Sequence, residues 1–166
     1  MKRVFRWLLA MVVCVVLFGL WYNWRYSMGV AQSYQVNDKQ STYSLLITTQ
    51  KSEYKDKVTH RITDRLKGMD VYVKVIDQTE FSDILPGNYD AFIFLHTWEM
   101  WKAPKNIQAF LTLDDIQYKT FVVSTSGGGD LFHEGIDGIT SASIILDAEN
   151  DADKAILWTK KLLSLY

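Results

Sequence analysis

Ser126, Gly127, Gly128, Gly129 and Asp130 follow a β-branched and aromatic run, Thr120–Thr125, within the stretch Tyr118–Asp137. Small residues and glycines directly after an apolar strand present bare backbone N–H groups. That is the chemistry that holds an anion or the polar edge of a ring, although the same residues also make a plain turn. Asp130, His133, Glu134 and Asp137 lie in the same loop and carry metal-ligand chemistry. No second histidine stands at helical spacing from His133, so the cluster reads mainly as solvated loop charge. Ser126 with His133 would make a nucleophile and base, but the G-x-S-x-G spacing is absent. Trp98 and Trp101 fall in the loop His96–Pro104. They suit a stacking surface, a hydrophobic lid, or an anchor on a bilayer or a partner. His96, at a strand end, reads as a hydrogen-bonded structural residue.

These residues need a sheet to hold them. Tyr43–Thr49 (YSLLITT) reads as a first strand, and Lys55–Lys67 as a helix with Val58, Ile62 and Leu66 on one face. Gly68 ends that helix. Val71–Ile76 is the second strand. Asp77–Asp90 is polar, with a short helical turn around Phe81–Leu85, and Ala91–Leu95 is the third strand. Lys105–Leu113 is a short helix with Ile107, Phe110 and Leu111 inward. Thr120–Thr125 is the fourth strand and Ile139–Leu146 the fifth. Ala152–Leu165 closes the chain as a helix. Near-continuously apolar strands alternating with helices imply an α/β fold, a parallel sheet covered on both faces. With right-handed crossovers the expected order is 2-1-3-4-5. That order brings the loops after strands one, three and four together: Gln50–Tyr54, His96–Pro104 and Ser126–Asp137.

The 166 residues suffice for one domain. Trp7–Tyr22 is apolar and free of charge, with Trp7, Trp21, Tyr22, Trp24 and Tyr26 at its ends. This is the pattern of a bilayer-spanning helix with interfacial aromatics. Lys2, Arg3 and Arg6 precede it, which places the N-terminus in the cytoplasm and the domain outside the cell membrane. A cleaved signal peptide, cut after Ala31, is the competing reading. The expected organisation is a signal-anchor over 1–26, a polar linker over 27–42 and a domain over 43–166. The first 31 residues hold four basic side chains and no acid. Taking four from the 18 basic residues leaves 14 against 19 acidic ones, a formal −5. Such a domain has no electrostatic case for nucleic acid. The single cysteine, Cys14, lies in the apolar run, so the domain has neither a disulfide nor a cysteine metal site.

Three blocks then resemble the flavodoxin-like family. Tyr89-Asp90 leads into AFIFL, an aromatic loop, Ala103-Pro104 and an amphipathic helix. Lys119–Gly129 (KTFVVSTSGGG) is similar to the family's fourth strand and its threonine-serine-glycine run. Asp151–Leu163 is similar to its last helix with an inward tryptophan. The resemblance implies non-covalent FMN and electron transfer to a redox partner. The phosphate would then lie in Thr49–Lys55, with Gln50, Ser52 and Lys55 among its neighbours. The flavin ring would lie between Thr97, Trp98 and Trp101 on one side and Ser126–Asp130 on the other. In the phosphate loop the family's hydroxyl-x-Thr-Gly-Asn-Thr pattern becomes Gln50, Lys51, Ser52, Glu53, Tyr54 and Lys55. Ser52 keeps a hydroxyl, while Glu53 stands in place of the glycine. The alternative is a flavodoxin-like domain without flavin, serving as a binding or assembly subunit of a membrane complex.

Asp137–Ser143 (DGITSAS) is also similar to the D-x-x-[ST]-G-A-[ST] signature of exported flavoproteins, with Ser141 for the glycine. That resemblance implies FMN esterified to Ser143. Read as plain sequence, ITSASIIL is a strand.

Overall fold

The computed structural model describes residues 2–26 and 29–165. Ser27 and Met28 of the expected linker, and Tyr166, lie outside the described residues, as do the side chains of Trp24 and Tyr26. Helix α1 (Lys2–Tyr26) carries an apolar span, Lys2–Tyr22, whose apolar side chains are exposed. At 1.5 Å per residue, 21 residues make about 31 Å, close to a bilayer's hydrocarbon thickness.

The domain is a six-stranded sheet flanked by helices. Its elements are β1 (Tyr34–Val36), β2 (Tyr43–Thr49), α2 (Glu53–Leu66), β3 (Val71–Asp77), β4 (Ala91–Thr97), α3 (Lys105–Leu111), α4 (Asp114–Gln117), β5 (Thr120–Thr125), β6 (Asp137–Ser141) and α5 (Ala148–Leu162). The sheet order is β1-β3-β2-β4-β5-β6. The five strands from β2 to β6 are mutually parallel, and they stand in the expected second-first-third-fourth-fifth order.

Alternation within each strand feeds two cores. Leu45, Ile47, Ile93, Leu95 and Val123 face Val58, Ile62 and Leu66 of α2 and Ala152, Ala155 and Ile156 of α5. Leu46, Phe92, Phe94 and Val122 face Ile107, Phe110 and Leu111 of α3. There Phe81, Phe92, Phe94 and Phe110 pack edge to face, with centroids 4.8–5.4 Å apart. Burial on both faces is why the strands lack polar alternation.

Two expectations need correction. The five-stranded sheet has a sixth strand: part of the presumed linker, Tyr34–Val36, pairs antiparallel with β3. It covers an edge that would otherwise offer unpaired backbone groups, and three residues are too few to carry a periodic signal. Asn37, at φ 67°, follows it. Its Nδ2 donates to the carbonyls of Leu66, Met69 and Val71, and its Oδ1 accepts from Gly68 N. One side chain thus ties the edge strand to the C-terminus of α2.

The fifth parallel strand is Asp137–Ser141, not Ile139–Leu146. It stops because β5 ends opposite Ser141, and Ser143 enters the left-handed region at φ 59°. Within it Gly138 admits no side chain: a Cβ there would lie 2.4 Å from Val122 O.

Candidate functional site

The loops after β2, β4 and β5 meet at the carboxyl edge of the sheet, and a hydrogen-bond network joins them. Ser52 caps α2, its Oγ accepting from Lys55 N at 3.2 Å. Lys55 turns inward and is 1% exposed. Its Nζ donates to Gln50 Oε1 at 2.9 Å and to Thr97 Oγ1 at 2.6 Å. Gln50 Oε1 also accepts from Thr97 N, and Thr97 Oγ1 shares a bond with Thr125 Oγ1. Burial pulls the Lys55 ammonium down to about 8, against a smaller opposing pull from Glu99. Thr49 is buried at the end of β2. Lys51 closes the loop from outside: its N donates to Gly29 O and its Nζ pairs with Asp56 at 2.8 Å.

His96 and His133 come together across the next gap, Nε2 to Nε2 at 2.8 Å. One ring must donate and the other accept, so at least one is neutral. Burial, helped by the facing His133, lowers the His96 pKa to about 3. Burial lowers that of His133 as well. Trp98 stacks on His133 with centroids 4.8 Å apart and meets His96 edge-on at 5.4 Å. Trp101 does not join this cluster; it stands 82% exposed in a tight turn.

The glycine run is closed on itself. Ser126 Oγ accepts from Gly129 N at 2.9 Å and from Asp130 N at 3.3 Å, and lies 3.3 Å from Asp130 Oδ1. Ser126 N donates to Ser141 O. Gly129, at φ 68°, lies so close to β6 that a Cβ would come within 2.9 Å of Ala142 N. Gly127 and Gly128 sit exposed at the tip of this turn. Ser143 is exposed just beyond Ala142.

An FMN group finds a poor match in these residues. The phosphate corner holds Glu53 and Asp56 in the first turn of α2; Asp56 is paired with Lys51, and Glu53 repels a dianion at the helix N-terminus. The Lys55 side chain fills the interior beside that corner and bonds neutral oxygens. The ring slot is spanned by the His96–His133 bond and the Trp98 stack. Two of the glycine-run amides are taken by Ser126. Buried polar atoms without partners among the described residues include Thr48 Oγ1, Gln78 Oε1, His96 Nδ1 and Trp98 Nε1. All four belong to the carboxyl ends of β2, β3 and β4, and they mix donors with acceptors. Uncharged groups of both kinds suit ordered water rather than a phosphate.

No group of three or more metal-ligating side chains occurs among the described residues. Asp137 instead accepts from Trp158 Nε1 at 2.9 Å. The His96–His133 pairing lay beyond sequence reasoning. The two are 37 positions apart, and only the register of β4 against β5 brings them together.

The parallel strand order and the doubly covered sheet define a flavodoxin-like fold. Two solved structures are similar. One is the metal-soaked Flv1 flavodiiron core from Synechocystis sp., at 14% identity and TM-score 0.49, covering 76% of this chain and 37% of that one. The other is oxidised Flavodoxin 2 from Bacillus cereus, at 15% identity and TM-score 0.43, covering 71% of this chain and 99% of that one. No family model matches the sequence, and no curated protein does.

Proposed function

We propose that this chain is a single-pass membrane protein whose flavodoxin-like domain holds no FMN and serves as a binding or assembly subunit of a membrane complex. One observation carries the reading. The interior of the switch point is filled by the chain's own side chains, with Lys55 bonded to Gln50 and Thr97 and His96 bonded to His133. The length and apolarity of α1 support anchoring. The basic residues ahead of it favour a cytoplasmic N-terminus and an extracytoplasmic domain.

The electron-carrier reading survives in one form, favoured by the position of Ser143. That hydroxyl is exposed beside the glycine turn, where a transferase could esterify a flavin to it without a filled phosphate corner.

The test is the visible spectrum of detergent-purified protein from its native host, taken before and after denaturation and filtration. A colourless protein that stays colourless with added FMN is expected. Glu53→Gly should not confer FMN binding, because Lys55 and the histidine pair remain. Yellow colour released on unfolding would overturn the proposal in favour of non-covalent FMN. Colour retained on the unfolded chain would assign it to Ser143.

A further inference from the structure

The loops at the carboxyl edge of the sheet carry bulky apolar side chains that no part of the domain covers. Met100 and Trp101 are 84% and 82% exposed, and Leu146 is 88% exposed. Val30 and Ile144 are exposed as well. Because β2, β4, β5 and β6 are parallel, the segments that follow them leave the same edge. Val30 joins that edge through the bond between Gly29 O and Lys51 N.

Met100 and Trp101 are also held at a cost. They are the two central residues of a turn closed by reciprocal bonds between Glu99 and Lys102, with φ values of 47° and 60°. Such turns normally take glycine or asparagine, since a left-handed conformation is unfavourable for a long side chain. Here the chain accepts that strain while directing a thioether and an indole into solvent.

The chain itself supplies the occupant of this rim. The apolar span of α1 ends at Tyr22 and the helix at Tyr26. Four helical residues add about 6 Å. Three residue steps separate Tyr26 from Gly29, at most about 11 Å when fully extended. Gly29, bonded to the loop after β2, therefore lies within about 17 Å of the hydrocarbon edge. A headgroup layer takes up roughly 6 Å of that distance. Adjacent strands are about 4.8 Å apart, so the loops after β4 and β5 follow closely.

We infer that the carboxyl edge of the sheet lies on the lipid–water interface of the bilayer that α1 spans, with Met100, Trp101 and Leu146 as its contact residues. Trp101 has the amphipathic ring that favours this layer. Lys102 and Lys105 stand beside it, and Glu99, Asp130 and Glu134 share the edge, so apolar insertion rather than net charge holds the surface down. The inference rests on the membrane-anchored reading of α1.

Nitroxide accessibility in liposomes of phosphatidylcholine and phosphatidylglycerol tests both separately. A label on the native Cys14 reports on α1. Labels on Met100→Cys or Leu146→Cys, each in a Cys14→Ser background, report on the rim. Lys39→Cys and Leu85→Cys, exposed at the opposite edge, serve as aqueous references. The expected result is a deep hydrocarbon signature at Cys14. At Met100 and Leu146, collisions with a water-soluble nickel chelate should be lost relative to Lys39 and Leu85, and collisions with oxygen gained. A buried Cys14 with rim labels as accessible as Lys39 overturns the apposition and leaves the edge to a protein partner. An aqueous Cys14 overturns the anchor and the apposition together.

Discussion

His96 shows how far a neighbourhood can override a residue's solution chemistry. It is fully buried, its Nε2 bonds to His133, and burial holds its pKa near 3. The unfolded chain would take up that proton near 6.5. Between those values the unfolded state binds more protons, so stability must fall as pH drops through 6.5 toward 3. His133, shifted in the same direction, adds to the slope. The melting temperature of the detergent-solubilised protein should therefore decline from pH 7 to pH 5. In His96→Phe the decline should flatten whatever happens to the absolute value. An unchanged slope would remove the pair as the source. Lys55 is the second case: an ammonium placed among neutral oxygens, its pKa lowered by burial to about 8. The sequence reads His96 as a hydrogen-bonded structural residue and Lys55 as a phosphate neighbour, and neither reading names the partner it finds. Their burial comes from strand register and from the pitch of α2.

Elements were legible where their periodicity was long. The α2 stripe of Val58, Ile62 and Leu66 is fully buried, and Gly68 follows its end at φ 80°, the third residue of a turn that Met69 N closes on Leu66 O after an extended Lys67. Elements set by partners were not. Helix α5 begins at Ala148 rather than Ala152, and the polar stretch before β2 is part of the domain. Asn37 is the joint in that stretch. Asn37→Gly keeps its backbone conformation but removes four hydrogen bonds, at a cost of about 1–2 kcal/mol in urea unfolding. A change below about 0.5 kcal/mol would mean that solvent replaces the side chain there.

At the scale of the whole molecule, the apolar span of α1 stands apart from the folded core: among the described residues, every buried apolar side chain lies at Ala31 or beyond. A chain beginning at Gly29 is expected to be monomeric by sedimentation without detergent, and to melt within a few degrees of the full protein. Aggregation of that fragment would instead show that the exposed apolar rim needs a cover.

The sequence by itself determined the apolar N-terminal helix, the α/β class and the order of the parallel strands. Each of these rests on runs of apolar residues whose period and length are written locally. It also singled out the three loops that meet at the sheet's edge. Only the tertiary structure decided what fills that meeting point. Lys55 to Thr97 and His96 to His133 are bonds across 42 and 37 positions. No local pattern encodes which side chains close packing will bring within 3 Å of each other. A glycine run that reads as open backbone became a self-bonded turn for the same reason. Ser126 lies close enough to the following amides to take the place of a ligand.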